Sequence, residues 1–352
     1  MIKANPYDQP DLRSMYKEEL ESYILGLGEK KFRAGQVFDW LHAKKAGSFD
    51  EMNNVPLALR NKMAEDAVLV TLKVAKELIS QIDGTRKYLF ELPDGNVIES
   101  VWMEYKHGNS VCISSQAGCR MGCRFCASTL NGLERNLSAS EMLEQVYRIS
   151  VITGKRVDNI VIMGSGEPFD NYDNVVRFIK LVTDPKAGGI SKRNITVSTC
   201  GLVDKIKAFA DEDLGVTLAL SLHAADDETR KKLMPIAKKY ALKDVLDACD
   251  YYFKKTGRRV SFEYSLVKDV NSNEAEAKKL AALLKGKNCH VNLIPVNPVK
   301  EREFETVSRS YAGAFKNMLE KNGINATIRR EMGRDIQGAC GQLRRSFKKE
   351  EN

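Results

Sequence analysis

The stretch Cys119-Arg-Met-Gly-Cys-Arg-Phe-Cys126 says more about the fold than any other part of the chain. Three cysteines stand in it, with three residues between the first pair and two between the second. Gly118 and Gly122 allow the backbone to turn tightly around a bound group. Three thiolates can hold three irons of a 4Fe–4S cube and leave the fourth iron free. The spacing therefore predicts an iron–sulfur cluster with one open iron.

Zinc is an alternative occupant of the same cysteines. A structural zinc site takes four ligands, usually as two close pairs, and only three thiols lie close together here. A zinc site would therefore need a distant fourth ligand, such as His107 or Cys112. The spacing alone leaves this interpretation open.

Length, charge and cysteine usage narrow the class of protein. The chain has 352 residues, 43% apolar and 29% charged, enough for one large domain and a smaller one. Its eight cysteines are not spaced as a disulfide framework, so we expect a reducing, cytoplasmic location. The N-terminus has no apolar signal segment, and no apolar run approaches membrane-spanning length. A net charge of +8 favours a polyanionic partner.

Residues 1–75 are predicted to form a small helical domain. Apolar residues recur at helical spacing over 12–25, 34–41 and 57–66. Basic and aromatic side chains are interleaved there, a combination that suits RNA backbone and bases. These residues are Lys30, Lys31, Phe32, Arg33, Trp40, His42, Lys44 and Lys45. The alternative is a solvated helical face with Phe32 and Trp40 in a small core.

A β-hairpin is predicted within residues 76–104. Strands 86–92 and 96–102 flank Pro93-Asp94-Gly95, a turn in which Gly95 supplies a positive φ. We expect this hairpin to connect the helical domain to the larger part of the chain.

Residues 105–335 alternate strands with helices. The predicted strands are 111–114, 159–163, 195–199, 216–222, 260–266 and 290–295. The predicted helices are 138–152, 174–182, 203–210, 242–255 and 273–284, the first opened by a capping box of Ser138 and Glu141. Six such units are fewer than a closed barrel needs. The predicted fold class is α/β: a partial (β/α)6 barrel with a small helical N-terminal accessory domain and a β-hairpin extension.

Polar or glycine-rich residues follow most of these strands. In α/β folds the chemistry gathers at the carboxyl ends of strands, so several such ends above one core indicate a site. Gly164-Ser-Gly-Glu-Pro168 follows a buried strand, and the Glu167 carboxylate suits the ammonium group of an amino-acid-like ligand. The other strand ends carry Ser114, Ser198, Ser221, His223, Asn292 and Asn297.

Two further cysteines are candidates for chemistry. Cys340 stands in Gly338-Ala-Cys-Gly-Gln-Leu343, within the segment 336–352, and core packing explains a cysteine between glycines poorly. Cys112 lies on the strand that leads to the three-cysteine loop. Its alternative role is that of a buried small apolar residue. Cys249 and Cys289 are interpreted as structural.

Over nearly its full length the chain resembles the RlmN/Cfr family of radical S-adenosylmethionine (SAM) enzymes, which methylate adenosine in ribosomal RNA and tRNA. The motifs that carry the resemblance are the three-cysteine stretch, Gly166-Glu-Pro168, Ser221-Leu-His223, Asn292-Leu-Ile-Pro-Val-Asn-Pro298, Ala339-Cys-Gly-Gln-Leu343, and Phe32-Arg-Ala-Gly-Gln36 with Trp40. The Ala-Cys-Gly-Gln-Leu tail is the part that ordinary radical-SAM enzymes lack.

The resemblance implies a radical mechanism that uses two SAM molecules per turnover. Cys119, Cys123 and Cys126 would hold the 4Fe–4S cluster. One SAM methylates Cys340, and a radical from the second takes hydrogen from that methyl group, so that the carbon adds to adenine. Cys112 matches the thiol that frees the product through a transient disulfide with Cys340. Glu99 matches the family's proton acceptor. From the sequence alone, Glu99 would be interpreted as an exposed carboxylate of the hairpin.

The resemblance also implies the SAM pocket and the partners. The expected pocket residues are Gly166, Glu167, Ser198, Ser221, Leu222, His223 and Asn297. A lone His223 is more often a satisfied structural histidine, and Leu222 is expected to act through its backbone. The expected substrates are adenosine 2503 of 23S rRNA and adenosine 37 of tRNAs. An electron donor such as flavodoxin or ferredoxin, a monomer and no membrane attachment complete the expectation.

The chain departs from the family pattern at three positions. Ser165 replaces a usual methionine, Cys200 a usual small residue such as serine, and Met332 a more usual arginine. The first two are expected to alter the shape of the pocket slightly, and the third could alter RNA contacts. The basic tail 344–349 either contacts phosphates or is merely solvated.

Two other activities remain open from the sequence. Methylation at adenine carbon-8 is the sister activity, but Pro168 after Glu167 favours carbon-2, since the sister group tends to have alanine there. A non-enzymatic iron–sulfur or zinc protein that binds RNA is the alternative of another class.

Overall fold

Twelve strands form the framework of the computed structural model, which describes residues 7–343. They are β1 Lys73–Ile79, β2 Arg86–Glu91, β3 Val97–Tyr105, β4 Gly108–Ile113, β5 Gln116–Gly118, β6 Leu133–Asn136, β7 Asn159–Ile162, β8 Ile195–Thr199, β9 Thr217–Ser221, β10 Val260–Leu266, β11 Cys289–Pro295 and β12 Ala326–Ile328. Ten of them build one sheet in the order β1-β2-β3-β4-β7-β8-β9-β10-β11-β12, and β5 pairs with β6. Because β1 and β12 stand at opposite ends of this order, the sheet is open.

Ten helices cover this framework within the same residues. They are α1 Lys17–Gly26, α2 Phe32–His42, α3 Leu57–Asp66, α4 Ala139–Thr153, α5 Tyr172–Thr183, α6 Val203–Asp211, α7 Asp227–Leu233, α8 Leu242–Thr256, α9 Glu274–Leu284 and α10 Arg309–Lys321. Ser138 caps α4 by accepting a hydrogen bond from the Glu141 amide, while the Glu141 side chain accepts one from the Ser138 amide. The predicted capping box is confirmed.

The parallel part of the sheet is the predicted partial barrel. From β4 through β12 neighbouring strands run parallel, and all six predicted strands are present. Apolar and polar residues alternate along β8 and β10, and the apolar ones, such as Val197 and Phe262, belong to the core that the strands share with the helices. The predicted fold class is confirmed.

The predicted hairpin is continuous with the barrel. Strands β1 to β4 pair antiparallel in sequence order, and Val101 on β3 stands opposite Cys112 on β4. The hairpin therefore extends the barrel sheet at its first strand. This junction places β3 next to the strand that carries Cys112.

Several elements escaped the sequence analysis. Strand β1 is exposed along almost its whole length, so no alternation of apolar and polar residues marks it. Helices α7 and α10 and strand β12 were also not predicted. The predicted helix 12–25 is wrong at its start: Leu12–Ser14 forms a single 3₁₀ turn, and α1 begins only at Lys17.

Arg13 explains that interruption, because its side chain ties the N-terminal segment to the barrel. It is fully buried, pairs with Glu144 on α4, and donates to the carbonyl oxygens of Val70 at 2.6 Å and of Ala46. The Leu12 amide also donates to the Val68 carbonyl at 3.2 Å. A helix that continued through residue 13 would break these contacts.

The helical N-terminal segment has its own apolar core. Val37, Phe38 and Leu41 on α2 are buried there, whereas Phe32 is 56% exposed. The alternative that placed Phe32 in a small core is therefore wrong for this residue, while Trp40 is partly buried against the core. In residues 7–343 no helix has both the length and the apolarity needed to cross a bilayer.

We expect Arg13→Ala to lower the free energy of unfolding by about 3 kcal/mol, because buried Glu144 would keep only Arg148 as a cationic partner and the buried Val70 and Ala46 carbonyls would lose their donor. Denaturant titration under anaerobic conditions, followed by circular dichroism, measures the change. Lys243→Ala is the control, since Lys243 forms only an exposed pair with Asp247 on α8 and its loss should leave the midpoint unchanged. Equal midpoints for both variants would contradict the role given to Arg13.

Candidate active site

The three-cysteine loop begins where β5 ends. The Cys119 amide donates to the Gly132 carbonyl at 2.9 Å, and Thr129 Oγ1 donates to the carbonyl oxygens of Cys123 at 3.1 Å and Cys126 at 3.0 Å. Gly118 has φ +80°, and a Cβ atom there would lie 2.1 Å from the Gly132 carbonyl oxygen. Only glycine fits at this point, so the local sequence dictates the course of the loop.

The three thiols lie on the wall of one cavity of about 150 Å³, here called the cluster cavity. Burial raises the pKa of Cys119 to about 12, and burial together with the neighbouring thiols raises the pKa values of Cys123 and Cys126. Thiolates crowded in an apolar site need positive charge nearby, which irons supply while displacing the thiol protons. The donor set therefore fits a 4Fe–4S cluster.

The arrangement of the three thiols does not suit a single metal ion. Within residues 7–343, no group of three or more His, Cys, Asp or Glu side chains is placed to hold one metal ion. The three thiols of a cluster with one open iron bind three different irons, so they need not converge on a single ion.

The cluster cavity collects most of the predicted site residues from different strand ends. Its wall includes Cys119, Cys123, Cys126, Gly166, Glu167, Ser198, Ser221, His223, Asn297 and Cys340. They come from the ends of β5, β7, β8, β9 and β11 and from the C-terminal loop. Parallel strands bring their carboxyl ends to one rim, which explains why residues so far apart in sequence meet there.

Glu167 is a buried carboxylate in this wall. Its Oε2 accepts from the Cys200 amide at 2.8 Å, its Oε1 accepts from the Phe169 amide at 3.1 Å, and burial raises its pKa. Gly166 beside it has φ +111°, and a Cβ there would lie 2.7 Å from Gln116 Cβ. An ammonium group would favour the ionised form of Glu167, so the site suits a cationic ligand.

His223 is held in one tautomer. Its Nδ1 accepts from the Ser265 amide at 2.9 Å, so its Nε2 carries the hydrogen. Burial lowers its pKa to about 3, which keeps the ring neutral. Its φ of 56° is unusual for a residue other than glycine, and strained backbone of this kind clusters at functional sites. His223 is thus both structurally satisfied and part of the cavity wall.

Leu222, which was expected in the pocket, does not line the cluster cavity, and both of its backbone polar groups are engaged within the protein. Its side chain is fully buried, its amide donates to the Glu263 carbonyl at 3.0 Å, and its carbonyl accepts from Arg230 Nε at 3.2 Å. Ser198 and Ser221 stand with their hydroxyl oxygens 3.5 Å apart on neighbouring strands.

The C-terminal loop is docked directly onto the three-cysteine loop. The Ala127 amide donates to the Gly341 carbonyl at 2.8 Å, Ser128 Oγ donates to the Leu343 carbonyl at 2.7 Å, and Asn297 Nδ2 donates to the Cys340 carbonyl at 2.9 Å. Cys340 therefore lies in the wall of the cluster cavity.

Cys112 does not line the cluster cavity but lies in a second cavity next to Cys340. Both cysteines line this second cavity of about 40 Å³, here called the thiol cavity, whose walls include Val101, Tyr105 and Met332. Cys112 is 6% exposed, and burial together with Cys340 raises its pKa to about 12. All eight cysteines are free in the structure.

Glu99 is not the exposed carboxylate that the sequence alone indicates. It is 2% exposed on β3, and its Oε1 lies 3.3 Å from Lys87 Nζ. Lys87 also donates to the Gln337 carbonyl at 3.3 Å. The reason for the error is that the C-terminal loop covers this face of the hairpin, where Lys87 contacts Gln337 and Val101 shares an apolar cluster with Leu343. Glu99 lies beneath that loop, outside the walls described for the two cavities.

The three departures from the family pattern all lie at the site. The Ser165 hydroxyl is 3.2 Å from that of Ser128, and the Cys200 thiol lies next to Glu167. Met332 is 5% exposed and packs with Cys112 and Leu343. The side chain of Met332 therefore shapes the thiol cavity. The tail 344–349 lies outside the described residues.

Sequence reasoning missed two charged residues in the barrel interior. Glu263 and Arg329 both line the cluster cavity, with Arg329 Nη1 3.6 Å from Glu263 Oε2. Glu263 and Ser265 alternate on β10 with the buried Phe262 and Tyr264, and that alternation could have revealed the inward face. Arg329 follows the unpredicted strand β12 and carried no such signal.

Comparison with known proteins agrees with this geometry. Residues 113–281 match the Radical SAM superfamily, and residues 10–69 match the ribosomal RNA large subunit methyltransferase N-terminal domain. The chain is 60% identical to a protein of Lachnospira eligens described as a probable dual-specificity RNA methyltransferase RlmN, over 96% of each chain. It is 53% identical to the protein of the same description from Clostridium botulinum strain Okra, over 94% of this chain and 96% of the relative.

A solved structure shows the same architecture. The crystal structure of a radical SAM methyltransferase from Sphaerobacter thermophilus superimposes with a TM-score of 0.92 at 41% identity, covering 96% of this chain and all of the other. With the cluster loop, the SAM-type cavity and the relatives at this level of identity, the chain belongs to the RlmN family of radical-SAM RNA methyltransferases.

Proposed function

We propose that this enzyme methylates carbon-2 of an adenosine in the peptidyl-transferase region of 23S rRNA and of an adenosine in tRNAs. The observation that carries the proposal is the position of Cys340 on the wall between the cluster cavity and the thiol cavity. One sulfur can there accept a methyl group on one side and meet a second thiol on the other. The description of the relatives as dual-specificity RNA methyltransferases supports both RNA substrates.

The proposed reaction gives Cys340 and Cys112 separate roles. A 4Fe–4S cluster with SAM supplies the methyl group and the hydrogen-abstracting radical when both are bound. Cys340 carries the carbon to the base, because adenine carbon-2 is not nucleophilic enough to take a methyl group directly. Cys112 then forms the transient disulfide that releases the product. The loop contacts of Asn297 and Ala127 keep Cys340 next to the cluster cavity.

The pocket residues orient the cofactor. Glu167 pairs with the ammonium group of SAM, and the neutral His223 offers its Nε2–H as a donor. The Ser198 and Ser221 hydroxyls line the same cavity and supply further polar contacts. Gly166 lets the backbone approach closely, since any side chain there would collide with Gln116.

Glu99 is proposed as the acceptor of the proton lost from carbon-2. Its ion pair with Lys87 and the bond from Lys87 to Gln337 couple it to the loop that carries Cys340. Burial of the pair excludes water from this carboxylate.

The helical N-terminal domain is proposed to contact RNA. Phe32 is exposed with the Arg33 guanidinium 4.7 Å from its ring centre, and Lys44 Nζ lies 3.8 Å from the centre of the Trp40 ring. Aromatic rings with cations beside them suit unpaired bases, which stack on the rings, and phosphates, which the cations attract. The proposal also includes a cytoplasmic location, a monomer, and flavodoxin or ferredoxin as electron donor.

Mass spectrometry of nucleosides tests the function. The anaerobically reconstituted protein, SAM and a reductant are incubated with unmodified 23S rRNA or tRNA transcripts, and the RNA is digested. We expect 2-methyladenosine from both RNAs. Formation of 8-methyladenosine would assign the sister activity, and a zinc-containing protein that leaves RNA unchanged would overturn the enzymatic proposal.

We expect Cys340→Ala to abolish product formation, because no sulfur remains to carry the methyl group. Methyladenosine is quantified after incubation with each RNA. Cys289→Ala is the control, since Cys289 lies half-buried at the start of β11 and lines neither cavity wall described above. Normal turnover in Cys340→Ala would refute the role of this thiol.

Cys112→Ala should stall the enzyme covalently attached to RNA through Cys340. The carbon can still add to the base, but no second thiol releases it. Denaturing gels with labelled RNA measure the attached species, and the double variant Cys112→Ala with Cys340→Ala should show none. A single Cys112→Ala variant that turns over without attachment would count against the proposal.

Gly118→Ala should reduce iron binding at least about tenfold, a cost of about 1.4 kcal/mol. The added Cβ would lie 2.1 Å from the Gly132 carbonyl oxygen, so the loop must move. Iron and sulfide are measured per chain after reconstitution. Gly35→Ala on α2, where a Cβ meets nothing within 4 Å, should bind iron normally.

A further inference from the structure

Arg329 stands where the internal cavities of the protein meet. A third cavity of about 290 Å³ occupies the lower barrel, and its wall includes Thr196, Ser261 and His290. Arg329 and Met163 are the two residues that line this cavity, the cluster cavity and the thiol cavity alike. The guanidinium therefore lies within the barrel, next to both reactive thiols.

The position of Arg329 is well defined by its neighbours. Its amide donates to the Leu293 carbonyl at 2.8 Å, which places it directly beyond β12. Nη1 lies 3.6 Å from Met163 Sδ and 3.6 Å from Glu263 Oε2. Glu263 accepts from Asn292 Nδ2 at 2.8 Å, so the carboxylate is itself held in place.

Cys340 is the strongest electrostatic partner of this cation, followed by the carboxylate of Glu263 and then by Cys112. Cys340 is the first of the groups that raise the pKa of Arg329, and Cys112 also contributes. Conversely, Arg329 counteracts the effect of burial and of Cys340 on the pKa of Cys112. A thiolate formed at either sulfur would face this one guanidinium.

The release step presents a physical difficulty that Arg329 addresses. Disulfide formation needs a thiolate. Burial raises the pKa of Cys112, so only a small fraction of this thiol is ionised near neutral pH. Once the Cys340 sulfur is alkylated it can no longer become a thiolate, which leaves Glu263 and Cys112 as the acidic partners of Arg329.

We propose that Arg329 is a positioning residue for product release, which stabilises the Cys112 thiolate as it attacks the alkylated sulfur of Cys340. This inference rests on the proposed function. Arg329 itself exchanges no atoms with the substrate. It acts through Cys112, by offering a positive charge beside a thiol that is itself only 6% exposed.

The step balances as a two-electron exchange. The Cys112 thiolate forms a bond to Cys340 Sγ, and the bond between that sulfur and the methylene carbon breaks. The electron pair of the broken bond goes to the carbon, where the purine ring delocalises it, and the carbon takes one proton from solvent. The two sulfurs are oxidised to a disulfide, which a small-molecule dithiol reduces before the next turnover.

The other charged or titratable groups around Cys112 do not substitute for Arg329. Tyr105 on β3 is neutral because burial raises its pKa, and Cys340 carries the carbon during release. Arg330 and Glu331 also line the thiol cavity and have opposite charges. Met163, directly after β7, supplies only a backbone hydrogen bond. Glu263 on β10 is the counter-ion of Arg329 and does not line the thiol cavity. Arg329 is the cation that lowers the pKa of Cys112.

Loss of the Arg329 guanidinium should make product release depend more strongly on high pH. Without the guanidinium the Cys112 pKa rises further, so the thiolate fraction at a given pH falls. Release should slow in Arg329→Gln and should recover as pH is raised, about tenfold per unit while pH stays below the pKa. Arg329→Lys keeps the charge and should release within about threefold of the parent enzyme.

The test follows the RNA-attached species in a single turnover of the reconstituted holoenzyme. Labelled tRNA transcript is quenched in denaturant at successive times and separated on denaturing gels, at two pH values. We expect the attached species to form in Arg329→Gln and to decay at least about tenfold more slowly than in the parent. Arg334→Gln is the matched control, since it removes an arginine that is 72% exposed in the same segment.

A second measurement needs neither RNA nor turnover. In reconstituted Cys340→Ala protein, which mimics a Cys340 that cannot ionise, iodoacetamide alkylation of Cys112 is followed by peptide mass spectrometry. Adding Arg329→Gln should slow alkylation about tenfold, and adding Arg329→Lys should not. Iron content and circular dichroism check that each variant is folded.

The outcomes separate this inference from the proposed function. Normal decay in Arg329→Gln, while Cys112→Ala still traps RNA, would overturn the role of Arg329 and leave the function intact. Equal slowing by Gln and Lys would also overturn it, because charge would not be the cause. Failure of the parent enzyme to methylate RNA and of Cys112→Ala to trap it would instead refute the proposed function.

Discussion

The docking of the C-terminal loop onto the three-cysteine loop is the constraint on which the rest of the site depends. Ala127 and Ser128, directly after the last cysteine, donate to carbonyl oxygens of the C-terminal loop, and Asn297, beyond β11, donates to a third. They bring Cys340, which is more than two hundred residues from the cluster loop in sequence, to the wall of the same cavity. Backbone acceptors are satisfied in this way without committing the sulfur to a structural role.

The interior of the barrel contains buried acidic groups whose charge is unfavourable there. Thiols and carboxylates are buried together, and burial raises the pKa values of Cys112, Cys119, Cys123 and Glu167. A site of this kind gains stability when cationic groups enter it, since their charge offsets the loss of water. The guanidinium of Arg329 meets that need in one part of the barrel, and irons beside the three cysteines and an ammonium group beside Glu167 would meet it in two others.

Buried ion pairs help to hold the accessory elements in one arrangement. The Arg13–Glu144 pair joins the N-terminal segment to α4. The Lys87–Glu99 pair lies within the hairpin, and Lys87 links it to the C-terminal loop by donating to the Gln337 carbonyl. Buried pairs contribute little net stability but are costly to break, so they specify one arrangement of the parts. In this protein they fix the helical domain and the hairpin relative to the rim where Cys340 lies.

Sequence alone determined the class of fold and the core of the chemistry. Two local patterns carry this information: the spacing of Cys119, Cys123 and Cys126, and the alternation of strands with helices. Both can be recognised from the sequence because they depend on residues close together in the chain. Only the tertiary structure decided that Glu99 is buried and that Arg329 lines the cavity shared by Cys112 and Cys340. Those properties arise from segments far apart in sequence that cover one another, and no local period of apolar residues records such contacts.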